Sequence, residues 1–456
     1  MSVVAEMVDQ NQRRYLAASS ILIGVLMASL DSSIVNIALP SIAKALDVPP
    51  ASVIWVTNGY QVASAAMMLI CAALGARLGE RRIYGIGMIL FTVSSLGCAL
   101  SPTFEMLVAM RVIQGASYAA MVSVGLGLYR VIFPPEALGT IFGLNALTFA
   151  VGTAAGPIVG GILVSYLSWP WLFYINIPFG LIATIITYRY LEPDTETQSG
   201  FDLVGALTSA AAMGLLVVGV DQIGRWNSTV IGAALAGSVA LSIAFIFGQY
   251  RTRSPLLPLD IFQSRRYSFA VISSVSMFVS QGMALVALPF VLQHLYSYSV
   301  IDSAALFTPW PVAVAICAPI AGRLSNRINP TYISTMGLFL YSGGLASLAL
   351  IDGHHDPINI IWRVILCGIG YGFFLPPNNK EMFSNVERKR TVTASGVLST
   401  ARTAGQSVGV ALVAMMLSIL GGLTESSGNH FVLFVFSLAF LISIAACIAS
   451  LIRIHK

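Results

Sequence analysis

Two charges stand where a hydrocarbon-soluble chain should carry none. Asp31 falls late in the apolar run 15–38, and Arg111 falls early in the run 104–128. A carboxylate in mid-membrane costs on the order of 3 kcal/mol on insertion scales, so Asp31 should face a partner or a cavity rather than lipid. Asp31 lies about seven residues below the end of its run, and Arg111 about seven below the matching end of its own. At 1.5 Å per residue both sit roughly 10 Å under the same surface. The sequence leaves their contact open. The chemistry such a pair offers is proton or cation exchange, with Asp31 alternately holding a proton and a cationic or polar substrate and Gln114 within one turn of Arg111. The bland alternative is a buried brace between two helices. Arg363 and Arg402 are the other two charges well inside apolar runs, and their roles stay open between capping carbonyls and lining a cavity. Trp55, Asn58, Gln61, Asn145, Phe149, Gln281, Trp310 and Arg363 are candidates for a central substrate cavity, since polar–aromatic mixtures suit lipophilic cations. Interhelical hydrogen bonding and packing would use the same residue types.

Other chemistries find less support. The five histidines lie at loops or span ends, so no nucleophile–base pair is expected and an intramembrane enzyme is disfavoured. His354-His355-Asp356 lacks the helical spacing of a metal-ligand pair, and no metal site is expected. The five cysteines sit singly in apolar runs and read as small core residues. No G-x-x-x-x-G-K loop is present, so ATP is not the expected energy source.

The elements that must hold Asp31 and Arg111 are membrane-spanning helices. The 456 residues are 57% hydrophobic and 9% charged, with mean hydropathy +0.83, far from the roughly 25% charged of a soluble domain. Fourteen apolar runs are expected to span, near 15–38, 53–74, 83–100, 104–128, 138–166, 172–190, 203–220, 230–247, 269–295, 304–322, 332–351, 358–377, 392–420 and 431–452. Ala43-Lys44-Ala45 resembles a signal-peptidase site, but the run before it is long and contains Asp31, so it reads as a retained first span. With both termini inside, nineteen Lys and Arg fall on the cytoplasmic side and two, Lys44 and Arg225, on the other. Twelve spans would require demoting an adjacent pair, of which 203–220 with 230–247 is the weakest. The net charge of +5 is therefore a topological signal, and no nucleic-acid partner is expected.

The chain repeats itself. Arg77-Leu78 with Arg81 returns as Arg323-Leu324 with Arg327. Arg111-Val112-Ile113 returns as Arg363-Val364-Ile365, and Gly143 with Gly152 as Gly396 with Gly405. Ala38-Leu39-Pro40 returns as Ala287-Leu288-Pro289. The near-constant offset predicts two six-helix bundles, 1–191 and 267–456, with two inserted helices in 192–266. The offset puts Ser280 and Gln281 where Asp31 would recur, so the carboxylate belongs to one half only. Between Gly143 and Gly161, Gly152, Gly156 and Gly160 form a smooth stripe beside Pro157, which predicts a close helix–helix contact.

Two parallel six-span repeats are the plan of the major facilitator superfamily, and several motifs resemble it closely. The pattern G-x8-G-x3-GP-x2-GG of drug–proton antiporters is matched at Gly143, Gly152, Gly156, Pro157, Gly160 and Gly161. Leu30-Asp31-Ser32-Ser33-Ile34-Val35-Asn36-Ile37-Ala38-Leu39-Pro40 resembles the first span of the fourteen-span EmrB/QacA-type branch. Trp169-Pro170-Trp171-Leu172-Phe173 with Asn176-Ile177-Pro178 resembles the start of its span 6. Arg111-Val112-Ile113-Gln114-Gly115 resembles the superfamily's fourth-span motif. Arg77, Gly79, Arg81 and Arg82 resemble its cytoplasmic gate loop, although Ala76 replaces the usual aspartate. The resemblance implies an all-α polytopic fold and proton-coupled, alternating-access efflux of lipophilic cationic or amphipathic compounds. It also implies a proton gradient instead of a cofactor, a monomer in a bacterial cytoplasmic membrane, and an outer seal made by the glycine stripe against span 10 near Thr308-Pro309-Trp310-Pro311. An uptake facilitator or symporter for a small metabolite, and a non-transporting sensor, are the alternatives.

Overall fold

The structure, a computed structural model, describes residues 2–193, 200–223, 226–252, 255–351, 356–387, 390–419 and 425–454. Among them no strand occurs, and fourteen long helices make the fold: α1 (Ser2–Ala45), α2 (Trp55–Leu78), α3 (Glu80–Ala99), α4 (Phe104–Ile132), α5 (Pro135–Tyr166), α6 (Asn176–Tyr190), α7 (Leu203–Asp221), α8 (Ser228–Arg251), α9 (Arg265–Phe290), α10 (Pro309–Leu324), α11 (Pro330–Ala349), α12 (Pro357–Ser384), α13 (Thr391–Ile419) and α14 (Glu425–Ile454). Short helices at Trp171–Tyr174 and Val300–Phe307 lead into α6 and α10. Each long helix coincides with an expected span. Twelve candidate spans are long and apolar enough to cross a membrane, and α11 and α13 fall outside that set. In α11 the apolar content is diluted by Thr331, Ser334, Thr335 and Ser342, all buried, whose hydroxyls bond within the protein.

One boundary moves enough to matter. The expected twelfth span stops at 377, whereas α12 runs on through Pro376-Pro377 to Ser384. A proline pair would end a helix in water; inside a bundle, neighbouring helices supply the missing partners. The continuation carries Lys380 and Glu381 into the helical body, which the sequence reading left outside it.

The repeat is visible in which helices touch. In the first half α1 packs on α5 and α6, α2 on α4, and α3 on α4 and α6. In the second half α9 packs on α13 and α14, α10 on α12, and α11 on α12 and α14, the same five pairings shifted by eight helices. Between the halves α5 meets α10 and α12, while α13 meets α2 and α4. The inserted α7 pairs with α8 and lies against both α2 and α13.

Glycines set the closest of these approaches. At Gly156 a Cβ would come within 2.5 Å of Ser33 Cβ, and at Gly160 within 2.6 Å of Ile34 Cγ1; at Gly152 it would overlap the Ser29 hydroxyl. The stripe therefore lies on α1. Across that seam the Ser33 hydroxyl donates to the Thr153 carbonyl at 3.0 Å. The second half repeats the device: Gly405 meets Phe278 (2.9 Å to its Cβ), and Gly409 meets the Val279 carbonyl, both on α9. Small residues let two backbones approach where lipid supplies no hydrophobic drive.

Gly152→Val should therefore cost about 1–3 kcal/mol by overpacking, read as a lowered thermal midpoint in detergent. Gly161 has open space around its α-carbon, so Gly161→Ala should leave the midpoint unchanged.

Candidate functional site

Asp31 and Arg111 touch. Both are fully buried, and Arg111 Nη1 lies 2.6 Å from Asp31 Oδ2. Three helices close around the carboxylate. Arg111 of α4 donates to Oδ2; Gln114 of α4 (3.1 Å) and Asn176 of α6 (2.9 Å) donate through their amides to Oδ1. Ser95 of α3 accepts from the Gln114 amide at 2.8 Å and from Asn176 at 3.4 Å, tying the donors together. Arg111 is held equally fully. Its Nη1 also reaches Gln114 Oε1 at 2.6 Å, and its Nε reaches the Val56 carbonyl at 3.0 Å. The Tyr60 ring lies 4.3 Å from the guanidinium carbon and the Phe173 ring 5.8 Å. A buried pair of charges survives only with such additional bonds, because desolvation otherwise outweighs the attraction. The sequence singled out Asp31, Arg111 and Gln114. It missed Ser95, Tyr60 and the role of Asn176.

The glycine stripe explains why α1 can present Asp31 there. Ser29, Ser33 and Ile34 of α1 are the residues seated on Gly152, Gly156 and Gly160, so the stripe grips the turns of α1 that carry Asp31. This differs from the expected seal against Thr308-Pro309-Trp310-Pro311. Gly143 alone of the pattern meets α10, where a Cβ would come within 2.7 Å of the Ala318 carbonyl. The Pro157 side chain, His354 and His355, and Arg225, Arg388 and Lys389 lie outside the described residues.

A cavity of about 50 Å³ is lined by α1, α3, α4 and α5 of the first half, with Arg402 of α13 as the lining residue from the second. That volume holds a few waters, well short of the 300–1,000 Å³ of drug-sized sites. Asn145, Phe149 and Arg402 line it together with Ser29, Tyr118 and Met121. The other expected cavity residues lie elsewhere. Trp310 is a core residue stacked on Phe307 and edge-on to Tyr341. Gln281 accepts from Gln406 at 3.2 Å, Arg363 lies over the Trp362 ring, and Asn58 is buried in α2. Gln61 is exposed and Trp55 half-buried, both outside the lining. Asp31, two residues from Ser29 and so roughly on the opposite side of α1, is sealed off from the cavity by its own network. A direct grip of Asp31 on a cationic substrate is therefore absent in this conformation. Tyr60 connects the two regions, since its ring packs on Arg111 and lies 5.6 Å from that of cavity-lining Tyr118.

Among the described residues, the hydrogen bonds and ring contacts given between the halves lie at or on the arginine-rich side of Arg402, whose guanidinium is 5.0 Å from Phe149. Arg130 donates to the Thr391 hydroxyl at 3.0 Å and the Val386 carbonyl at 2.7 Å. Asn326 accepts from the Gly139 amide (3.2 Å) and donates to Thr140 (2.9 Å), while Lys380 holds its carbonyl oxygen at 2.8 Å. Phe142 stacks on Phe383 at 5.4 Å. The bundle is closed at that end. Of the residues expected to gate it, Gly79 has φ 102 and joins α2 to α3, a conformation that favours glycine. Arg81 donates to the Tyr188 carbonyl and lies over its ring. Arg77 sits over Phe201, beside Asp202 at the start of the inserted pair, whose carboxylate acts on it electrostatically. Arg130, Asn326 and Phe383 had no motif to announce them.

A second buried ion pair was also missed. Arg453 of α14, counted from the sequence as a loop cation, is buried and lies 3.1 Å from Glu381. Thr331 donates to Glu381, and Arg453 also donates to Asn378 and Ser450.

Two helical halves with matched pairings, joined by α5 with α10 and α12 and by α13 with α2 and α4, and long apolar helices throughout have the plan of a polytopic membrane transporter. The chain belongs to the Major Facilitator Superfamily, whose family model matches residues 21–410. It is 42% identical over 442 residues to the uncharacterized transporter YebQ of Escherichia coli (strain K12), covering 96% of this chain and 95% of that protein. It is 31% identical over 405 residues to the tetracenomycin C resistance and export protein of Streptomyces glaucescens, covering 88% of this chain and 75% of the relative. The crystal structure of the human organic anion transporter MFSD10 (TETRAN) shares the fold, with TM-score 0.66 at 14% identity over 94% of this chain and 99% of that one. The protein is a transporter and not an enzyme.

Arg111→Ala should destabilise by about 3–5 kcal/mol, because it strands the Asp31 carboxylate. In a double-mutant cycle with Asp31→Ala the double variant should lose at least 1 kcal/mol less than the sum of the singles, measured by unfolding in detergent. Arg130→Ala should raise thiol labelling of a cysteine engineered at Val386 by severalfold.

Proposed function

We propose that this transporter is a proton-coupled exporter of amphipathic organic compounds, working by alternating access. The observation that carries this reading is the sealed Asp31–Arg111 pair linked through Tyr60 and Tyr118 to the cavity wall. When a proton neutralises Asp31, Arg111 keeps the Gln114 carbonyl oxygen, the Val56 carbonyl and the Tyr60 ring as partners. Both protonation states of Asp31 are then tolerable, which a mere brace would not require. Losing the ion pair lets Arg111 shift against the Tyr60 ring it retains, and Tyr118, packed on Tyr60, carries that shift to the cavity wall.

In this reading all fourteen long helices cross a bacterial cytoplasmic membrane, with the arginine-rich end and both termini in the cytoplasm. The form described here is closed to the cytoplasm. Residues 1–191 and 267–456 are the rocking bundles, and 192–266 is the inserted pair; their matched helix pairings support this division. The working unit is one chain, since both seams between the bundles form within it. The proton gradient supplies the energy, and no cofactor is needed. Export is supported by the glycine pattern of drug–proton antiporters and by a relative named for resistance and export.

The test is transport in proteoliposomes under an imposed pH gradient. Asp31→Asn should lower gradient-driven transport at least tenfold while substrate–substrate counterflow, which needs no proton, persists. Full gradient-driven transport by Asp31→Asn would sink the proposal.

A further inference from the structure

Arg402 is an intramembrane cation for which the protein provides no counter-charge among the described residues. Its described partners are the Tyr371 hydroxyl, which accepts from Nη2 at 3.1 Å, and the rings of Phe149 and Phe278 at 5.0 and 5.4 Å. A guanidinium has five N–H donors, and the described hydrogen bond to Tyr371 uses one of them. The contrast lies within the same chain: Arg111 is matched by Asp31 and Arg453 by Glu381. Charges inside membrane proteins pair with one another or face a water-filled path. Arg402 lines the cavity, and no Asp or Glu does.

The neutral part of the wall has the same polarity. The oxygen of Asn145 is occupied by the Tyr129 hydroxyl at 3.1 Å, so its amide N–H groups are what remain to offer. Phe149, 36% exposed, adds an apolar face next to the guanidinium. The donors of Arg402 and Asn145 thus sit in a wall that is otherwise mostly aliphatic and aromatic, with the rings of Tyr84, Tyr118 and Phe149, around a space large enough for a headgroup.

We propose that the cavity takes amphipathic organic anions, aromatic carboxylates or sulfonates, with the anionic group on Arg402 and Asn145 and the ring against Phe149. The guanidinium matches either group bidentately. This names the substrate class of the exporter proposed above and rests on that reading for the direction of transport, but the binding itself does not depend on proton coupling. It departs from the cation preference that Asp31 suggested from sequence, because Asp31 is sealed away from the wall.

The test is equilibrium binding to the purified full-length protein, with 5(6)-carboxyfluorescein and 8-anilinonaphthalene-1-sulfonate as anionic probes and rhodamine 6G as the cationic one. The anionic probes should bind, Arg402→Gln should weaken them at least tenfold, Arg402→Lys should restore part of the loss, and rhodamine 6G should be unaffected or gain. Failure of both anions to bind, or equal binding to Arg402→Gln, overturns the proposal. Should Arg402→Gln not purify as a monodisperse protein, competition on the unaltered protein decides: each anion displacing the other but not being displaced by rhodamine 6G is the expected result, and displacement by rhodamine 6G at equal or lower concentration is the contrary one. Arg402-dependent anion binding without gradient-driven transport would defeat the export reading alone. Gradient-driven transport of rhodamine 6G indifferent to Arg402 would defeat the anion assignment alone.

Discussion

Everything in the first half is arranged so that two opposite charges can exist without water. The Asp31–Arg111 attraction is worth having only because Gln114, Asn176, Ser95, the Val56 carbonyl and the Tyr60 ring satisfy what the pair leaves over. Those groups come from α2, α3, α4 and α6, so four helices must be in register with α1 before the charge is affordable. The register of α1 is set in turn by the glycine seam with α5, where replacing hydrogen by methyl would displace the turns around Asp31. A backbone contact and an electrostatic constraint are thus one arrangement: the seam brings α1 close, and the carboxylate fixes its rotation.

The two halves share the packing but not the charge. Gly405 and Gly409 hold α9 as Gly152 and Gly156 hold α1, and the Gly115 contact with Tyr60 is matched by Gly368 on Trp310. Where the first half has Asp31, the second has Ser280 and Gln281, with Gln406 bonded to the latter. Its own ion pair, Glu381–Arg453, lies at the opposite end of the bundle, among Thr331, Asn378 and Ser450. The repeat therefore fixes how helices touch, while each half places its buried charge independently.

What could be read from the sequence follows from which signals are local. Apolar runs, arginine placement and the repeat marked every long helix, since hydropathy and charge act residue by residue. Asp31 and Arg111 stood out because charges in such runs are rare, and their shared depth followed from helix rise. Partners were harder. A serine or asparagine on a helix carries no sign of whether it bonds its own backbone or a neighbour, which hid Ser95 and Asn176. The glycine stripe announced a close contact but not with which helix, and the choice fell on α10 where the structure has α1. Trp310 and Arg402 show the same limit for orientation: spacing could not tell that one side chain enters the core and the other the cavity. Glu381 was missed for a simpler reason, a helix running past two prolines that read as its end.

The inserted helices give the molecule unequal flanks. The first-half helix α2 and the second-half helix α13 meet beneath α7, which touches both. The equivalent junction of α5 with α10 has no such covering helix among the described contacts, and Ile158, Ile162, Ile316 and Ile320 stand exposed along it. A rearrangement of the halves would therefore have to carry a third helix with it along the α2–α13 edge, and along the α5–α10 edge no such helix among the described contacts.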